Sequence, residues 1–92
     1  MITTIEDQEF IAVSEFKEAE YYACSFNNCD LQNANLINSI FIECTFENCN
    51  LSNLKLHNVA LKTVDFINCK LVGLDFTLCN LFLFKVSFKS CN

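Results

Sequence analysis

An all-β chain wound as a square coil is the fold this 92-residue sequence predicts, and three observations predict it. First, every fifth residue from Phe16 to Leu81 is Phe, Tyr or Leu, fourteen positions without a miss, and Ile11 before the series and Val86 after it keep the phase. Those three residue types make up 23 of the 92 residues. A chance series of that length therefore has odds of roughly one in 10⁸, so an internal repeat is the explanation. Second, the residue two before each of these centres is also small or apolar, whereas the other three positions are mostly Asn, Asp, Glu, Lys, Ser and Thr. Two inward and three outward positions per five fit neither a 3.6-residue helical period nor the alternation of a strand. They fit a right-angled coil in which each five-residue unit is one side of a square and four units complete a turn. Third, residues twenty apart match, as they must if turns stack directly: Phe26, Phe46 and Phe66 in one column, Leu31, Leu51 and Leu71 in a second, Cys29, Cys49 and Cys69 in a third.

In chain order, residues 1–10 precede the clean repeat and are expected to be an N-terminal cap segment, with residues 11–92 forming the coil. Phe10, Ile11 and Phe16 in an acidic setting suit a cover over the first turn, and a short strand or a helical turn serves equally there. Through the body, outward Asn recurs in register: Asn28, Asn48 and Asn68, then Asn33 and Asn53, then Asn38 and Asn58. Asn tolerates the backbone angles of tight turns, and stacked amides bond along the axis of parallel β stacks, so these residues are expected at corners. Leu54 and Leu74 put bulk where a small residue is the rule, twenty apart, and one side of the square is expected to bulge. Gly73, the only glycine, lies beside Leu74. The last turn departs most. Leu78, Phe82, Leu83 and Phe88 fall on outward phases and Phe84 enlarges an inward one. Together they form an apolar patch that soluble monomers rarely expose, and solenoids need a polar terminal cap. The expected cover is a second copy, as a homodimer through the C-terminal end, or polypeptide continuing beyond Asn92.

The segments Cys29-Asp30-Leu31-Gln32-Asn33, Ala34-Asn35-Leu36-Ile37-Asn38, Cys49-Asn50-Leu51-Ser52-Asn53 and Cys79-Asn80-Leu81 resemble the A(D/N)LXX unit of the pentapeptide-repeat proteins. The resemblance covers about residues 11 to 91 and implies a right-handed quadrilateral parallel β-helix of about four coils. Runs such as Phe26-Asn27-Asn28-Cys29-Asp30-Leu31 and Phe41-Ile42-Glu43-Cys44-Thr45-Phe46 resemble the Cys- and Phe-rich members of the quinolone-resistance (Qnr-like) type. That resemblance implies a cytosolic dimer that binds DNA gyrase and topoisomerase IV by imitating duplex DNA.

Composition excludes several classes. Though 52% of the chain is hydrophobic, no run of about 18 apolar residues occurs, so no transmembrane span is expected. Nor does the N-terminus carry a basic cluster before an apolar run, and a signal peptide is not expected; the chain is placed in the cytoplasm. Six of the seven cysteines lie two residues before a centre, where packing dictates residue type, so they are read as reduced thiols that behave as small hydrophobes. Cys24-x₄-Cys29 and Cys44-x₄-Cys49 have the look of two zinc half-sites, but structural zinc takes ligand pairs from turns rather than from an apolar interior. His57 has no positioned nucleophile or orienting acid beside it, and one glycine cannot build a phosphate loop. No enzyme, cofactor or metal site is expected. Residues 1–20 hold six acids and one lysine, residues 21–92 five of each, so the net charge of −5 lies in the first twenty residues. A neutral body without Arg lacks the footprint of a nucleic-acid binder. The expected function is a non-enzymatic module for protein–protein interaction or scaffolding. The alternative implied by the resemblance is a DNA mimic with a type II topoisomerase as partner. A mimic needs negative charge along its length to compete for a basic groove, and residues 21–92 do not supply it.

Overall fold

The computed structural model describes residues 2–92. It is a right-handed quadrilateral β-helix of about four turns, measuring 33 × 27 × 21 Å. Seven strands form one parallel sheet that wraps the coil: β1 (Thr4–Glu6), β2 (Glu9–Ile11), β3 (Glu20–Tyr22), β4 (Ser25–Asn27), β5 (Ile40–Glu47), β6 (Ala60–Ile67) and β7 (Asn80–Lys89). β3 and β4 both pair with β5, which pairs with β6, which pairs with β7; β1 and β2 pair with β3 and β4. The other two sides of the square are turns joined by single bridges, Asp30 to Asn50, Asn50 to Lys70 and Asn35 to Lys55.

The corners explain the outward Asn. Asn28, Asn48 and Asn68 have φ of 55°, 55° and 51°, Asn33 and Asn53 63° and 58°, Asn38 and Asn58 66° and 56°. A left-handed residue at every fifth position turns the chain through the square, and Asn is the commonest non-glycine residue that tolerates it. On the turn sides, the N–H of Ala34, Ser39 and Val59 donates back three residues to the carbonyl of Leu31, Leu36 and Leu56. The Asp or Asn before a centre closes the same turn from its side chain: Asp30, Asn35 and Asn50 accept from the N–H of Gln32, Ile37 and Ser52 at 3.3, 3.0 and 3.1 Å. That bond is the physical reason for the D/N preference in the repeat. Along the axis, the Asn58 amide donates to Asn38 Oδ1 at 3.0 Å. Gly73, with φ 79°, sits against Asn53, whose Oδ1 would lie 2.1 Å from an added Cβ.

Inside, rings pile as the twenty-residue match requires. Phe10, Phe26, Phe46, Phe66 and Phe88 form one stack, with successive centroids 5.0, 4.5, 5.4 and 5.4 Å apart and planes within 14° of parallel. Tyr21 stacks on Phe41 at 5.0 Å, and the two columns meet edge to face. Such pairs contribute about 0.5–1.5 kcal/mol each beyond the area they bury. Leu31 and Leu51 are buried and Leu71 is half-buried; Cys29, Cys49 and Cys69 are buried beside them. The void among Leu36, Phe46, Leu56, Phe66 and Phe76 is about 10 Å³, about the least that holds one water.

Two ends break the twenty-residue count. In the first circuit Ile5 lies under Tyr21 and Phe10 under Phe26, sixteen residues apart. Ile11, expected to keep the inward phase, is 60% exposed; the direct path from β2 to β3 removes four residues and shifts the phase to Phe10. In the last circuit Phe66 pairs with Phe88, twenty-two residues on, because the register slips between Ala60 and Val64. Leu81, the fourteenth centre of the series, is accordingly 63% exposed, and Val86 pairs with Val64, two residues before a centre.

Candidate interaction surface

The extra two residues of the last circuit create the surface. β7 follows a 3₁₀ turn, Phe76–Leu78, whose start is capped by Asp75 accepting from the Thr77 N–H at 3.0 Å. The hydroxyl of Thr77 donates to the same carboxylate, which holds the Asp75 carboxyl below the usual range. Asn80 then accepts from the Phe82 N–H at 3.0 Å, and Leu83 takes φ 58°, so the chain bulges outward over Lys62. The Lys62 ammonium stands 5.8 Å from the centre of the Phe82 ring, within the range of a cation–π contact.

Of the residues singled out from sequence, Phe82 and Leu83 are the most exposed, at 68% and 64%, and Leu78 is exposed at the preceding corner. Phe88 differs from the expectation of an outward phase. It closes the phenylalanine stack on Phe66, and about half of it remains exposed at the end of the column. Phe84 is half-buried and packs edge-on against Phe76 at 6.3 Å. Leu81 belongs to the same exposed group and was masked in the sequence by its place in the five-residue series.

The opposite end is also apolar. The short first circuit leaves an open cavity of about 240 Å³ lined by Ile5, Phe10, Val13, Phe16, Tyr21 and Phe26, with Glu15 and Lys17 at its edge. The Tyr21 hydroxyl donates to the Lys17 carbonyl at 2.5 Å, and burial pushes its pKa up to about 12.

Six of the seven cysteines donate to the backbone of the turn below. Cys44, Cys49, Cys69 and Cys91 donate from Sγ to the carbonyls of Tyr21, Phe26, Phe46 and Phe66, each at 3.3 Å. All seven are free thiols. Burial pushes Cys44 and Cys79 up to about 11, and the neighbouring Cys69 thiol together with burial raises Cys49. Thiols held neutral by burial, as at Cys44 and Cys79, are poor nucleophiles.

Residues 19–92 match the profile of the pentapeptide repeat region. The chain is a pentapeptide-repeat protein. Among solved pentapeptide-repeat structures, it is similar to full-length QnrB1, a plasmid-mediated fluoroquinolone resistance protein, with a TM-score of 0.59 and 20% identity over 96% of this chain and 43% of that one. A trypsin-treated variant of QnrB1 matches with a TM-score of 0.42 and 17% identity, over 99% of this chain and 53% of that one. This pentapeptide-repeat chain thus spans less than half the length of full-length QnrB1. No curated protein sequence matches it. Among the described residues, no helix is long and apolar enough to cross a membrane.

Proposed function

We propose that this chain is a cytosolic, non-enzymatic interaction module whose docking surface is the apolar last circuit, Leu78, Phe82, Leu83 and Phe88. One contrast carries the reading. The interior of the middle turns is packed to a void of about 10 Å³, while the last circuit sets large apolar side chains in solvent. Burial of apolar area at roughly 25 cal/mol per Å² makes this group a favourable contact for a protein partner. A photo-crosslinking amino acid at Phe82 is expected to give a discrete protein adduct in cells, and the same probe at Val72, exposed on a turn side away from the patch, is expected to give none. Equal adducts from both positions, or none from Phe82, refute the reading.

A second reading, protection of a type II topoisomerase by DNA mimicry, is supported by the acidic N-terminal circuit and by the fold shared with QnrB1. It predicts that the purified chain alters gyrase supercoiling with and without a quinolone, and that added salt weakens the effect. No change over a wide excess of the chain rejects it.

A further inference from the structure

The two ends of the coil are complementary to each other. Residues 1–47 carry nine acids and one lysine, a net −8, and residues 48–92 carry two acids and five lysines, a net +3. The charge therefore runs along the axis, with Glu6 and Glu9 exposed on the first two strands and Lys85 and Lys89 exposed on the last. Each end also presents a strand edge unpaired among the described residues: β1 and β2 pair only with β3 and β4, and β7 only with β6. Unpaired parallel edges are templates for another chain.

The register says what a second copy would meet. One column runs Glu6, Tyr22, Ile42, Lys62, Lys85, and another runs Phe10, Phe26, Phe46, Phe66, Phe88. If the next turn of each column were the first turn of another copy, Lys85 would lie beside Glu6, and Phe88 would cover Phe10 and continue the ring stack. Glu9 would fall opposite Ser87, between Lys85 and Lys89. A two-fold contact through the C-terminal ends would instead set these lysines against their own copies, which costs free energy at an interface.

We infer that this chain self-associates head to tail, the β7 edge of one copy docking on the β1–β2 edge of the next with Phe88 over Phe10 and Lys85 beside Glu6. The contact rests on the reading of the C-terminal end as a docking surface and names its occupant as a second copy. Because it joins two different patches and stacks each copy in line on the coil axis of the last, it adds copies without a two-fold closure and builds rods longer than a dimer.

Charge swapping tests it. The wild-type chain is expected to grow past the dimer with concentration in sedimentation velocity runs, and to dissociate as salt rises. The variant Glu6→Lys/Glu9→Lys and the variant Lys85→Glu/Lys89→Glu are each expected to associate about tenfold more weakly, a difference of about 1.4 kcal/mol. Mixed in equal amounts they are expected to recover wild-type association, since each contact between unlike variants again opposes unlike charges. Circular dichroism of each variant monitors the fold. Wild-type association by Glu6→Lys/Glu9→Lys, or no rescue on mixing, overturns the head-to-tail contact. Either result leaves the docking surface of the last circuit standing if Phe82 still crosslinks to a protein. A wild-type chain monomeric at every concentration also overturns it.

Discussion

The middle turns and the last one are built from the same residue types with opposite results. Between Glu20 and Ile67 every column repeats at twenty residues, rings stack at 4.5–5.4 Å, and Phe26, Phe41, Phe46 and Leu51 are buried. Beyond Lys70 two additional residues enter the circuit, and Leu81, Phe82 and Leu83 face solvent although they are as apolar as the residues they follow. Hydrophobicity alone therefore does not bury a side chain in this fold; keeping step with the turn below does.

Breaking the comparison begins with two phenylalanines. Phe46→Ala, in the middle of the stack, is expected to lower stability by about 3–5 kcal/mol, and Phe82→Ala to change it by no more than about 0.5 kcal/mol. Urea unfolding of both variants measures the difference, and equal losses would mean that the last circuit packs as the middle does. Next in size is the response to alkali. The buried thiols of Cys44 and Cys79 keep their protons to about pH 11 in the folded chain, whereas an unfolded thiol has the ordinary value of 9.0. Below pH 9 both states are protonated, and the stability these neutral thiols lend is complete. From pH 9 to 11 the unfolded state alone loses protons, so stability falls as pH rises through that window. Unfolding midpoints at pH 8 and pH 10.5 check this, and a flat profile would mean solvated thiols.

Corners sharpen the contrast at a smaller scale. Thr63 holds φ 62° in the same kind of corner that Asn occupies elsewhere, a costly place for a β-branched residue. Thr63→Asn is expected to raise stability by about 1 kcal/mol, read as a higher urea midpoint; a decrease would show that the hydroxyl is needed there. Smallest is Ser52, 3% exposed, with a hydroxyl that has no hydrogen-bond partner among the described residues. Ser52→Ala is expected to gain about 1 kcal/mol or less, because a buried polar group without a partner is unfavourable, and a loss would reveal a bridging water.

Much of this was legible in the chain. Fourteen evenly spaced centres, and residues alike at twenty, predicted the square, its stacked rings and its Asn corners, since each is a local demand repeated turn after turn. Circuit length was not legible. Phe10 and Ile11 are adjacent and equally apolar, and only the direct path from β2 to β3 decides which turns inward. From Asn80 to Phe88 a strand period and the pentad period overlap, both satisfied by Leu and Phe, so Leu81 continues the series in sequence yet leaves it in space. The apolar group at Phe82 and Leu83 was visible as a patch, but the part Phe88 plays in closing the stack depended on a slip of two residues that no single-residue preference records.

The Cys–carbonyl bonds carry a further consequence for how such a protein ages. Each sulfur tethers one storey to the next, so an oxidant that converted Cys49 or Cys69 to an acid would both charge the interior and cut a vertical strut. Cys49 and Cys69 are buried within the stack, whereas Cys91 is only half-buried and is the sulfur an oxidant meets first.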